Sequence, residues 1–202
     1  MENNMNGKKM VYSTVALVVL VLIYFGWKFT ARGAYESAEY TVIDSEGQFE
    51  TRQYSDLMLV STDLPQESKG DDGRFMRLFR YIDGANNQSQ KVAMTTPVFM
   101  GAESNNKDRQ MSFVIPKNVS EHQIPEPTNE KLEIQKRAGG LFAVIRFNGR
   151  LNKETIKNAE IKLATWMEKK DMIRDGTIEC AGYDPPWTPG PFRRNEVLVR
   201  VK

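Results

Sequence analysis

Cys180-Ala-Gly-Tyr-Asp-Pro-Pro-Trp-Thr-Pro-Gly-Pro-Phe-Arg-Arg-Asn-Glu-Val197 runs straight into the alternating tail Leu198-Val-Arg-Val201. The stretch holds four prolines and two glycines, so it is neither a helix nor a central strand: successive prolines fix φ and remove backbone donors. It reads as a rigid connection between two strands. An earlier stretch has the same build. Lys91-Val-Ala-Met-Thr-Thr-Pro-Val98 is an apolar run broken at a proline, and after a polar loop, Gly101 to Arg109, an alternating run from Gln110 to Ile115 follows.

The similarity extends upstream. Phe49-Glu-Thr-Arg-Gln-Tyr54 and Leu57-Met-Leu-Val-Ser-Thr62 match Leu132-Glu-Ile-Gln-Lys-Arg137 and Leu141-Phe-Ala-Val-Ile-Arg146. Glu50 and Glu133 are 83 residues apart, Pro97 and Pro186 are 89 apart, and the order of four elements is kept. A period this long, seen twice, is not a solenoid. It describes two ββαββ units joined by the polar linker Pro116 to Lys131. The helices are expected over Gly73 to Ile82, with Asp72 as cap and Phe75, Leu78, Phe79 and Ile82 on the apolar face, and over Asn152 to Asp171. Leu132–Arg137 and Leu141–Phe147 are expected to pair as a hairpin around Ala138-Gly-Gly140. Strand pairs alternating with two helices predict an α+β domain with antiparallel sheets.

Three motifs, Arg80-Tyr-Ile-Asp-Gly-Ala-Asn86, Met94-Thr-Thr-Pro-Val98 and Cys180-Ala-Gly-Tyr-Asp-Pro-Pro186 with Arg193-Arg-Asn-Glu-Val197, stand in an order and spacing that resemble the SOUL family of haem-binding proteins. The resemblance covers residues 39–202. It implies a distorted eight-stranded antiparallel β-barrel with two helices outside. It also implies binding of haem or another tetrapyrrole, without catalysis.

The N-terminus has a separate character. Val11 to Phe29 is almost wholly apolar, with Lys28 alone interrupting near its end and Tyr24, Trp27 and Phe29 clustered there. As a helix it would span about 28 Å, close to the hydrocarbon thickness of a bilayer. This predicts a tail at 1–10, a transmembrane helix at 11–29 that partners the lipid bilayer, a linker at 30–38 and the domain at 39–202. Lys8 and Lys9 balance Lys28 and Arg32, so the short N-terminus decides the orientation: a single-pass membrane protein with its domain on the outer side. A cleaved signal peptide is the alternative, but the run ends in bulky aromatics rather than small residues.

Beyond residue 33 the chain carries 24 basic and 25 acidic side chains, which gives no electrostatic reason to expect a nucleic-acid partner. One cysteine, Cys180, excludes an internal disulfide and a cysteine-built zinc site. No phosphate loop, metal-spaced cluster or nucleophile motif points to an enzyme. The sole histidine, His122, falls in the inter-repeat linker, so strong histidine ligation of a haem is not expected. The weaker axial donors are Met94, Tyr183 and Cys180. Phe75 and Phe79 supply an apolar platform. Arg77, beside Arg74 and Arg80, is a candidate for the propionates. Arg52 is another, since it occupies an arginine position of the family's first strand motif. Two other readings remain open: a site for a different apolar molecule or peptide between the repeats, and an interaction surface on the Asn152–Asp171 helix.

Overall fold

The computed structural model describes residues 12–21, 24, 35–63, 73–101, 110–185 and 188–202. Two compact units divide the chain, Met1–Ala34 and Tyr35–Lys202. In the first, residues 12–21 and 24 are helical and exposed. Among the described residues no helix is long and apolar enough to cross a membrane. That contradicts the expected spanning helix at 11–29. Residues 11, 22, 23 and 25–29 of the expected span lie outside the described residues.

The second unit contains β1 (Glu36–Ser37), β2 (Tyr40–Glu46), β3 (Phe49–Tyr54), β4 (Leu57–Thr62), β5 (Thr95–Thr96), β6 (Val98–Gly101), β7 (Met111–Val114), β8 (Glu133–Arg137), β9 (Gly140–Asn148), β10 (Arg174–Gly182) and β11 (Arg194–Val201). Helices occupy Arg74–Ile82, Lys117–Ser120 and Lys153–Lys169. β1 pairs with β5 in a short parallel sheet, and the other nine strands form one sheet in the order β2-β3-β9-β11-β10-β6-β7-β4-β8. Every pair in the large sheet is antiparallel.

That order carries the repeat. With β2 set aside, β3-β9-β11-β10 reads outward to inward as β8-β4-β7-β6 does from the other edge. β3 corresponds to β8, β4 to β9, β6 to β10 and β7 to β11, and β6 meets β10 at the centre. One consequence departs from the sequence reading. β8 and β9 are not a hairpin: β8 pairs with β4, and β9 with β3 and β11. The Ala138–Gly140 connection instead packs on the equivalent β3–β4 turn. Gly139 is needed there, because a Cβ would lie 2.5 Å from the Tyr54 carbonyl oxygen.

The sheet is also not closed into the expected eight-stranded barrel. β2 and β8 end the order, each with a single neighbour, and do not pair with each other. β2 is suited to an edge: six of its seven residues are exposed, a register shift falls between Val42 and Asp44, and Asp44 and Glu46 carry charge. Bulges and charges of this kind oppose further strand pairing.

Three apolar clusters hold the unit together. Ala159, Leu163, Trp166 and Met167 of the Lys153–Lys169 helix pack on Ile145, Val197 and Val199. This helix starts at a reciprocal cap: Asn152 Oδ1 accepts from the Thr155 backbone at 2.9 Å, and Thr155 Oγ1 accepts from the Asn152 backbone at 3.1 Å. Its apolar stripe is spent on the core. Leu78, Tyr81 and Ile82 of the Arg74–Ile82 helix pack on Val60 and Phe113. Between the two lies a cluster that includes Tyr54, Phe99, Phe142, Val144, Ala181 and Leu198.

The Arg74–Ile82 helix is rolled relative to its sequence pattern. It buries Tyr81, which the spacing did not select, and leaves Phe79 41 % exposed. The Tyr81 hydroxyl donates to the Pro125 carbonyl at 2.8 Å, tying the helix to the inter-repeat linker. Burial pushes its pKa up to about 12. The helix begins after Gly73 in the left-handed region (φ 71°), and the expected cap Asp72 lies outside the described residues.

Candidate functional site

That roll opens a groove. Phe75 and Phe79 from the helix, Met94 just ahead of β5, and Tyr183 just after β10 meet around a cavity of about 140 Å³. Phe75 stacks on Phe79 with centroids 6.2 Å apart and planes within 15°. Behind it, Phe75 meets the Phe113 ring at 66° and 5.4 Å. Phe75 is thus braced by the core while Phe79 faces outward. Tyr35, Val98 and Pro185 extend the apolar wall. Tyr35 arrives through the parallel pairing of Glu36 with Thr95 and Ser37 with Thr96. Tyr35 is not singled out by the sequence, since a two-residue strand leaves no periodicity to read.

Tyr183 is anchored from behind. Its hydroxyl donates to Glu196 Oε2 at 2.8 Å, and the Arg194 guanidinium lies 4.2 Å from its ring centroid. Asp184, the charged residue of the groove lining, accepts the Arg194 backbone N–H at 2.6 Å. Arg194 also pairs with Glu196 at 2.6 Å. The basic pair after the prolines therefore fixes the turn. Pro186 and Trp187 lie outside the described residues.

Arg52 is not at the groove. It has no exposed surface and is committed on every side. Its Nε meets Glu50 at 2.7 Å, and Nη1 and Nη2 meet Glu196 at 2.8 and 2.9 Å. Nη1 also reaches the Tyr54 hydroxyl at 3.1 Å, and the guanidinium lies 4.1 Å from the Tyr40 ring centroid. Burial would lower its pKa, but Glu196 and Tyr54 raise it above the ordinary value. For Glu196, burial would raise the carboxyl, but Arg52 and Arg194 outweigh it and hold the group below its ordinary range. A residue so bound is unavailable to a ligand's carboxylates.

The remaining candidates lie elsewhere. Arg77 donates to Thr62 Oγ1 at 3.2 Å and to the Asp63 carbonyl at 3.3 Å, tying the helix to the end of β4. Cys180 is buried under the Lys153–Lys169 helix, and burial, with the charges of Glu160 and Glu179, pushes its thiol up to about 12. His122 is exposed, with its Nδ1 2.9 Å from the Asn118 carbonyl oxygen. Of the expected axial donors, Met94 and Tyr183 reach the groove and Cys180 does not. Among the described residues no group of His, Cys, Asp and Glu side chains is placed to hold a metal ion.

The family model for SOUL heme-binding protein matches residues 35–200. "Heme-binding protein 1" of Xenopus laevis is 28 % identical over 156 residues, covering 74 % of this chain and 81 % of that protein. "Heme-binding protein 1" of Mus musculus is 30 % identical over 129 residues, covering 61 % of this chain and 67 % of that protein. Among solved structures, the C-terminal domain of EcmrR superposes with a TM-score of 0.53 at 13 % identity, covering 77 % of this chain and 97 % of that one. A hydrolase from Listeria innocua superposes with a TM-score of 0.55 at 9 % identity, covering 79 % and 94 %. At such identities the structures share the fold alone. The family match goes further, since it spans residues 35–200: the chain belongs to the SOUL heme-binding protein family.

Proposed function

We propose that this protein binds haem, or a related flat tetrapyrrole, in the groove of Phe75, Phe79, Met94 and Tyr183, and serves as a non-catalytic carrier or buffer of it. The observation that carries this reading is Phe79. An aromatic side chain on a core-packed helix is left 41 % exposed, stacked on a neighbour that is itself braced. Such a stack offers a flat apolar macrocycle an aromatic platform with little reorganisation.

The donor set fits haem in a particular way. A cavity of about 140 Å³ is smaller than the roughly 300–1,000 Å³ that encloses a whole organic ligand, so it grips one edge or face. Asp184 is the charged residue of the lining, which directs the propionates away from the groove and toward water. Met94 brings a thioether, a recognised class of axial ligand, while the Tyr183 hydroxyl is held by Glu196. Partial enclosure with weak ligation favours reversible loading over permanent retention, which is the behaviour of a carrier or buffer.

Haemin titrated into the intact protein and followed at the Soret band tests this. The expected result is a saturable spectral change, with affinity about tenfold weaker in Phe79→Ala, the loss of an aromatic contact being worth about 1–1.5 kcal/mol. A free-haemin spectrum throughout contradicts haem as the ligand. Equal affinity in Phe79→Ala contradicts the groove.

A further inference from the structure

A second cavity, of about 240 Å³, opens between β8 and β10, where Arg137 and Glu179 face one another with Leu59, Phe99 and Ser112. Arg137 is an unusual wall residue. It is 9 % exposed, and its guanidinium lies 4.3 Å from the Phe142 ring centroid, 4.7 Å from that of Phe99 and 5.2 Å from that of Tyr54. Glu179 takes one side of it: Oε2 accepts from Nε at 2.9 Å and lies 2.8 Å from Nη2. Nη1 is buried without any hydrogen-bond partner among the described residues. Aromatic faces stabilise the charge of a guanidinium but leave its in-plane N–H groups to be satisfied elsewhere.

A second donor is left over beside it. Ser61 and Ser112 share one hydrogen bond at 2.7 Å, and Ser61 also accepts from Gln135 Nε2 at 2.7 Å. Two hydroxyls bring two protons, and only one lies between them. Gln135 has spent its amide protons on Ser61 and Gln110, the latter at 2.6 Å. Among the described residues two donors beside the cavity are therefore unspent, the Nη1 of Arg137 and one hydroxyl of the Ser61–Ser112 pair, of which Ser112 lines the cavity. The cavity's ionisable lining is paired, Arg137 with Glu179 at 2.8 Å and Lys136 with Asp56 at 2.6 Å.

We propose that this cavity is a second ligand site, distinct from the haem groove, for a small monocarboxylate whose apolar body lies against Leu59 and Phe99. The carboxylate accepts from Arg137 Nη1 and from the serine pair. A buried arginine donor with no acceptor is costly, and a carboxylate is the acceptor its planar fork suits best. The volume of about 240 Å³ admits a small organic acid.

Benzoate, and the neutral isostere benzamide, titrated into the intact protein and followed by ¹⁵N NMR of arginine side chains and backbone amides, test the site. Benzoate is expected to shift the Arg137 Nε–H and Ser112 signals saturably, and benzamide to leave them in place. Arg137→Lys keeps the charge but removes the fork, and weakens binding about tenfold or more. Ser112→Ala, a small change that keeps the fold if the arginine variant does not, weakens it severalfold. No saturable shift, an equal response to benzamide, or benzoate binding unchanged in Ser112→Ala overturns the proposal.

Discussion

Arg52 and Glu196, 144 residues apart and one in each repeat, form a two-point pair, Nη1 to Oε2 at 2.8 Å and Nη2 to Oε1 at 2.9 Å, with neither residue exposed to solvent. The pair ties β3 to β11 across β9, which lies between them. Removing one partner leaves the other with Glu50 or Arg194 as its remaining counter-charge, at a cost of up to about 3–5 kcal/mol. Arg52→Ala and Glu196→Ala are therefore expected to lower the denaturant midpoint strongly, and the apolar double replacement Arg52→Met with Glu196→Leu much less. Equal loss in the single and double variants would show that the pairing is not what matters.

The same pair sets a pH response. The folded Glu196 carboxyl is held below its ordinary 4.5, so the unfolded chain takes up a proton more readily than the native one. Its contribution is complete above about pH 4.5 and is lost as pH falls through the lower folded value. Denaturation midpoints measured between about pH 7 and pH 3 should fall on the acid side. Glu196→Gln, less stable at neutral pH, should show a shallower fall over that window. A slope identical to that of the unaltered protein would assign the acid loss to other carboxylates.

Phe79 and Phe75 separate ligand binding from stability. Phe79 is exposed enough that Phe79→Ala should cost under about 1 kcal/mol of folding stability while weakening haem binding. Phe75 meets Phe113 in the core, so Phe75→Ala should reduce both. Equal stability losses in the two variants would mean that Phe79 is a core residue.

Arg77 and His122 serve as controls on the ligand's contacts. Arg77 is spent on Thr62 and Asp63, and His122 is near the Lys117–Ser120 helix. Haem affinity in Arg77→Ala and the Soret maximum in His122→Ala should match the unaltered protein. A shifted maximum in His122→Ala would make that histidine an axial ligand.

Cys180 should be inert in the native state. Burial raises its thiol to about 12, and the thiolate is the reactive form. Ellman's reagent should titrate one thiol in denaturant and almost none without it. Rapid native labelling would place Cys180 near the surface.

Much of this architecture is legible in the chain. The paired strand motifs and the proline breaks point to a duplicated α+β domain, and Phe75, Phe79, Met94 and Tyr183 come from the sequence to one groove. The rest depends on partners far away in the chain. Whether β2 and β8 join is a matter of two edges some 90 residues apart, and no local pattern records it. An i, i+4 aromatic pair has the same spacing in a core and on a rim. The bond from Tyr81 to Pro125 decides which it is. Arg52 is a ligand candidate in the sequence because it occupies an arginine position of the family's first strand motif, and its burial depends on Glu196 at the far end of the chain. The apolar run at 11–29 has the length of a membrane span, but among the described residues no helix is long and apolar enough to cross one.

The placement of haem can be read directly from methionine methyl groups, because each described cleft carries its own. Met94 lines the proposed groove, Met58 the cleft beside Glu36 and Lys117, Met100 the cavity at Arg137, and Met172 the one below the Lys153–Lys169 helix. Paramagnetic haemin added to intact protein with ¹³C-labelled methionine methyls should broaden or shift Met94 saturably and leave Met58, Met100 and Met172 in place. A response centred on any of those three, with Met94 unmoved, would contradict the groove.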